Sequence, residues 1–231
     1  MSNNSLIFNS TIGKKILMGL TGLLLCLFLV VHLSGNLLLF SSDGGRAFNE
    51  YTVFMTTNLL IRGAEIGLVA GFLAHIILAL GLTRKNSAAR PVKYAVTKVN
   101  ETASIYSRNM GVTGSIILIF LILHLKTFWF TYKFGEIPVM VYDDGVELKD
   151  MYFVVQAAFT QWWYSGLYVI AMILLGAHLN HGFQSAMRSL GLNNKSFAPI
   201  LTIIGSAFAI VMTVGFSLFP ILFFFGIVGV K

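Results

Sequence analysis

The sequence predicts an all-α integral membrane protein of five transmembrane helices. Three observations carry that expectation. Charged residues make up only 11% and hydrophobic residues 56% of the 231-residue chain, and mean hydropathy is +0.80, whereas soluble domains hold about 25% charged residues. Five stretches, about 16–40, 59–83, 110–132, 152–180 and 199–228, reach the roughly 20 apolar residues a helix needs to cross a hydrocarbon core. The basic residues then collect on alternate connections. No segment outside the stretches exceeds roughly 25 residues, too few for a second hydrophobic core, so residues 1–231 read as one membrane domain.

The first stretch follows Lys14-Lys15 and runs to Phe40. That exceeds the about 7–15 apolar residues of a signal peptide, so it reads as a retained helix. It contains Cys26, the single cysteine, which excludes internal disulfides, Cys-ligated iron–sulfur clusters and C-x-x-C-H haem attachment. The second stretch places Gly63, Gly67 and Gly71 at i+4 spacing ahead of His75, a bare face suited equally to helix packing and to a large flat ligand. Glu65 is the one acid inside an apolar stretch. It reads either as a proton-exchanging group or as an interfacial carboxylate paired with Arg62 at i+3.

The connection from Arg84 to Arg108 is basic and includes Pro91, Tyr94 and Tyr106; it suits either topology alone or a docking surface for a cytoplasmic partner. After the third stretch, Gly135, Pro138 and Asp143-Asp144-Gly145 supply turn chemistry for a short hairpin or cap. The fourth stretch ends with His178 and His181, followed on the His178 face by Gly182, Ser185 and Ser189. The fifth has no histidine.

With the N-terminus inside, the inner segments hold Lys14, Lys15, Arg84, Lys85, Arg90, Lys93, Lys98, Arg108, Arg188 and Lys195 against Glu101 alone. The outer ones hold Arg46, Arg62, Lys126, Lys133, Lys149 and Lys231 against Asp43, Glu50, Glu65, Glu136, Asp143, Asp144, Glu147 and Asp150. Positive-inside bias therefore predicts a cytoplasmic N-terminus and an external C-terminus. It also accounts for the net charge of +7 without nucleic acid.

All five histidines, His32, His75, His124, His178 and His181, fall in the predicted helices, His181 at the very end of the fourth stretch, where ionisable groups are costly and mark function. At 1.5 Å per residue, His32 lies roughly 25 Å from Lys15 and His124 roughly 24 Å from Arg108, while His75 lies about 13 Å from Arg84 and His178 about 15 Å from Arg188. Two are outer and two inner, at levels about 10 Å apart. Each pair comes from different helices, which suits gripping a macrocycle from both faces inside a bundle of the first four helices. A histidine-only zinc or copper site needs three or four ligands at one level. His181, three residues from His178, is an alternative ligand, a propionate partner or part of a proton or quinone path, with His178 favoured. Asn36 shares the His32 face at i+4 and reads as a propionate or quinone contact or as a helix-end polar residue.

The motifs I-G-K-K-I-L-M-G-L-T-G at 12–22, V-H-L-S-G-N at 31–36, A-E-I-G at 64–67, A-R-P-V-K-Y at 89–94 and H-L-N-H-G-F-Q-S at 178–185 span nearly the whole chain. It resembles the cytochrome b membrane subunit of succinate dehydrogenase and fumarate reductase, in the single-subunit, five-helix, diheme form. The resemblance implies haem b ligation by His32 with His124 (outer) and by His75 with His178 (inner), the latter also suggested by Gly182 four residues after His178. It implies a bacterial cytoplasmic membrane location, with partners that are a cytoplasmic flavoprotein carrying FAD and an iron–sulfur subunit. Electrons would pass between succinate or fumarate and a quinone, menaquinone by expectation, with Glu65 or nearby polar groups exchanging protons. The chain itself would not act on succinate or fumarate. Some diheme fumarate reductases of this kind carry a proton-conducting glutamate two residues before the last ligand; Gly176 stands here, so no such path is implied. Two rivals remain: the cytochrome b anchor of a membrane hydrogenase or formate dehydrogenase, and a haem-free transporter or scaffold.

Overall fold

The computed structural model describes residues 10–88 and 109–229. The basic connection, with the A-R-P-V-K-Y motif, lies largely outside the described residues. Helix α1 spans Thr11–Asn36 and passes into a 3₁₀ turn at Leu37–Phe40; α2 is Arg46–Thr57, α3 Leu59–Ala88 and α4 Met110–His124. A π-helical turn, Leu125–Phe130, and one further turn, Thr131–Phe134, prolong α4. Strands β1 (Val139–Val141) and β2 (Glu147–Lys149) follow, then α5 (Met151–Phe159), α6 (Trp162–Ser189) and α7 (Ala198–Phe224).

Five of these helices are long and apolar enough to cross a membrane: Thr11–Phe40, Leu59–Lys85, Met110–Phe134, Trp162–Ser189 and Ala198–Phe224. Their starts follow from side chains that accept otherwise unpaired amide protons. The Ser10 hydroxyl accepts from Gly13 N at 2.9 Å. The Asn58 side chain accepts from Leu60 N and Ile61 N. In the most apolar windows of the fourth and fifth spans 39% of residues are buried, against 0–6% in the first three. Large side chains such as Leu60, Ile66, Ile77 and Ile203 stand exposed, as a hydrocarbon solvent permits and water does not.

Two stretches depart from the sequence expectation. The fourth, expected as one helix over 152–180, is α5 and α6 with a break at Thr160-Gln161, where the Ser165 hydroxyl donates to the Phe159 carbonyl at 2.6 Å. Helix α2 was not expected at all, being only 12 residues long with Arg46, Asn49 and Glu50 in it. It begins where Gly44 and Gly45 take positive φ (68° and 88°), and the Asp43 carboxylate accepts from the amides of Gly45 and Ala47. At Gly45 a Cβ would also strike the Tyr152 ring.

The described residues form two compact units, each drawing on all five spans. Of the described residues, the first comprises 10–28, 67–88, 109–115 and 176–210, and the second 29–66, 116–175 and 211–229. Small residues set the helix contacts of the first. A Cβ at Gly19 would lie 3.4 Å from the Ala186 backbone, one at Gly71 2.8 Å from Leu24 and one at Gly205 2.6 Å from Phe183. Of the glycine row ahead of His75, Gly71 therefore packs on a neighbour, whereas Gly63 and Gly67 have nothing described within 4 Å. Asn180 joins α6 to α7 by accepting from Ser206 Oγ at 3.1 Å.

The second unit contains the expected hairpin. β1 and β2 pair antiparallel, Met140 facing Leu148, around a turn with Gly145 at φ 79°. The fully buried Asn49 ties α2 to this cap. Its amide donates to Asp150 Oδ1 and to the Tyr142 hydroxyl, both at 3.0 Å, while its oxygen accepts from Tyr152 N at 2.9 Å. Asp150 in turn caps α5 by accepting from Phe153 N. No fully buried side-chain polar atom of this small network lacks a partner, as burial requires.

Candidate functional site

The histidines fall two and three to a unit. His32 and His124 belong to the second, and His75, His178 and His181 to the first. The residues that helical depth groups together therefore share a unit.

In the second unit the His32 and His124 rings stand 5.7 Å apart between centroids, at 85° to each other. Aromatic rings surround them: Phe216 lies 5.6 Å from His32, and Phe120 and Phe128 lie 5.9 and 5.3 Å from His124. His124 Nδ1 hydrogen-bonds the Tyr168 hydroxyl at 2.8 Å, and Tyr164 donates to that hydroxyl at 3.4 Å. Phe216 comes from the fifth span, so this histidine pair is walled by more than the first four helices. Pro220, four residues on and buried, lacks the amide proton that would otherwise bond the Phe216 carbonyl.

In the first unit His75 Nδ1 meets Thr21 Oγ1 at 3.1 Å. The Thr21 hydroxyl has one proton, and it donates to the Leu17 and Met18 carbonyls at 2.9 and 3.1 Å. With that proton on a carbonyl the hydroxyl accepts from His75 Nδ1–H, which leaves the lone pair on Nε2; with it turned to the ring, Nδ1 is the acceptor. Bare backbone approaches both imidazoles of this unit. A Cβ on Gly22 would lie 3.4 Å from His75 Cε1, and one on Gly114 3.6 Å from His178 Cε1. His178 interacts electrostatically with His75 and His181. Its Nδ1 is buried with no hydrogen-bond partner among the described residues, a state that costs about 1–3 kcal/mol unless another group meets it. His181 is half-buried and interacts electrostatically with Arg188.

The remaining candidates are committed to local contacts. Asn36 donates to the His32 carbonyl at 2.7 Å, the bond of a helix-end residue. Glu65 pairs with Arg62, as its i+3 spacing allows, and also accepts from Lys133 Nζ at 2.7 Å and Trp129 Nε1 at 2.9 Å. Lys133 lies over the Trp129 ring, 4.5 Å from its centroid. Sequence reasoning missed Lys133 and Trp129, as it missed Tyr168 and Thr21. All four stand on other helices, and nothing in a one-dimensional pattern fixes helix rotation.

The donor sets suit an iron porphyrin. Among the described residues no three His, Cys, Asp or Glu side chains converge on a metal-ion site; a haem iron needs only two, because the macrocycle supplies the other four ligands. Two imidazoles each about 2 Å from one metal would place their centroids about 6 Å apart, close to the 5.7 Å between His32 and His124. Comparison of the chain with family models, curated proteins and solved structures finds no match.

Proposed function

We propose that this chain is the diheme cytochrome b membrane anchor of a succinate:quinone oxidoreductase in a bacterial cytoplasmic membrane. The observation that carries the proposal is the meeting of His32 and His124, imidazoles from two spans, 5.7 Å apart in an aromatic enclosure, with His75 and His178 sharing the other unit. The motif resemblance supplies the rest of the reading. In it His32 and His124 hold one haem b, and His75 and His178 the other.

When bound, haem b supplies a one-electron carrier that needs no proton at the iron. The chain's own residues do the remainder. Thr21, hydrogen-bonded to His75 Nδ1, would orient that ring for ligation through Nε2, the fixing of a ligand by its second hydrogen bond. Phe120, Phe128 and Phe216 exclude water around His32 and His124. In this reading His75 and His178 would hold the haem on the side of the cytoplasmic iron–sulfur subunit, which is itself partnered by the flavoprotein, and His32 and His124 would hold the haem on the menaquinone side. Glu65, fixed among Arg62, Lys133 and Trp129, is the polar group for quinone-linked proton exchange.

The test is purification of the complex from native membranes. A reducible b-type spectrum with two haems per chain is expected, together with reduction by succinate through co-purifying flavoprotein and iron–sulfur subunits. Haem reduced only by hydrogen or formate would transfer the chain to another redox complex. Absence of any b-type signal would leave a transporter or scaffold.

A further inference from the structure

The two units differ in the sign of their charges. Every acidic residue described lies in the second unit, whereas the charged residues described in the first are all basic: Lys14, Lys15, Arg84, Lys85, Arg188 and Lys195. Positive-inside bias accounts for that sign but supplies no carboxylate to balance it, so the balancing anions come from outside these residues.

One of these cations lines a cleft. At the junction of α6 and α7, Gln184, Arg188, Asn193 and Thr202 border a space of about 70 Å³. A water needs about 10–15 Å³ of such space, so the cleft admits roughly five heavy atoms, the size of a phosphate group. Its donors are uncommitted. The Arg188 and Asn193 side chains have no hydrogen-bond or ion-pair partner among the described residues, and the Gln184 amide uses one of its two protons on Asn180 Oδ1 at 2.8 Å. Thr202 contributes no proton, since its hydroxyl donates to the Ala198 carbonyl at 2.9 Å. The first amides of α7 are also taken, Ser196 N and Phe197 N both donating to Asn194 Oδ1. Recognition therefore falls to a guanidinium and two side-chain amides, and a guanidinium fork matches the oxygens of a phosphate.

The rim indicates what carries that phosphate. Leu192, Phe197, Ile200 and Ile203, each next in sequence to a lining residue, stand more than half exposed. Acyl chains attached to the phosphate would cover them, whereas a free anion leaves them bare. We propose that this cleft binds the phosphodiester of an anionic phospholipid, with Arg188, Asn193 and Gln184 donating to its oxygens and its acyl chains lying against α7. The site needs no haem, so it stands or falls apart from the functional reading above.

The test is native mass spectrometry of the purified protein titrated with phosphatidylglycerol, phosphatidylcholine or inorganic phosphate. Expected is saturable retention of phosphatidylglycerol, weaker retention of phosphatidylcholine, and no displacement of the lipid by inorganic phosphate. Arg188→Gln is expected to weaken phosphatidylglycerol binding at least about tenfold, through loss of a charged hydrogen-bonding group. Lys195→Gln, which changes a cation outside the cleft, should leave binding unaltered. Equal losses in the two variants overturn the proposal in favour of undirected charge attraction, and displacement by inorganic phosphate overturns it in favour of a free-anion site. Phosphatidylcholine held as tightly, or no phosphatidylglycerol retained by the wild type, overturns it outright. If Arg188→Gln does not fold, Asn193→Ala, a change at an exposed loop position, decides: weakened binding supports the proposal and unchanged binding overturns it.

Discussion

The two units hold their histidines by opposite means. Around His32 and His124 the protein is furnished with rings: Phe120, Phe128, Phe216 and Tyr168 all lie within 6.1 Å, between centroids, of one or both imidazoles. Around His75 and His178 it is cleared by glycine, Gly22 and Gly114 bringing bare backbone to each ring. Aromatic packing fixes an imidazole through contacts on its faces. Glycine instead admits a close approach that any side chain would block. Substitution should therefore act on the second unit by removing contacts and on the first by adding atoms.

Deletion of the imidazoles is the strongest way to break this comparison. His124→Ala and His75→Ala are each expected to remove one haem and spare the other, as read by haem content of the purified complex, while His181→Ala spares both. A His75→Ala protein that loses both haems would mean that the units do not bind independently.

The cap of the second unit offers the next largest effect. Asn49→Leu strands the buried Tyr152 amide and removes a donor from the buried Asp150 carboxylate, and should lower stability by about 1–3 kcal/mol. Thermal unfolding should begin with loss of the His32/His124 haem signal. Adding atoms to the first unit comes third. Gly22→Val is expected to lower occupancy of the proposed His75/His178 haem and leave the other intact, because a Cβ alone would lie 3.4 Å from the His75 ring and valine adds two methyls beyond it. Equal occupancy in Gly22→Val and wild type would remove the clearance role of glycine.

The smallest effect is a pH dependence confined to the cap. Arg46 bonds Asp144 at 2.7 Å and holds its carboxyl below the ordinary aspartate range, assisted by the Val146 amide and opposed by partial desolvation. A folded-state pKa below the unfolded one gives stability that is present above the ordinary aspartate range and lost as pH falls through the depressed value. Asp144→Asn should flatten that acid-side slope in thermal melts, slightly, since the pair is exposed.

The sequence by itself determined the five spans, the pairs of histidines expected to act together and the hairpin at Asp143-Asp144-Gly145. Hydropathy, helical rise and turn preference are properties of a run of neighbours, so they can be read along the chain. Helix α2 escaped because its 12 residues are too few and too polar to signal a span; it packs against α5 and β2, and tertiary contact stabilises it. The break at Thr160-Gln161 escaped because apolar residues continue on both sides of it. Only the tertiary structure decided which groups meet the functional candidates. Tyr168 lies 44 residues from His124, Thr21 54 from His75 and Lys133 68 from Glu65. Such partners are chosen by how each helix is rotated about its axis when it packs, and that rotation depends on the neighbouring helices rather than on the segment itself.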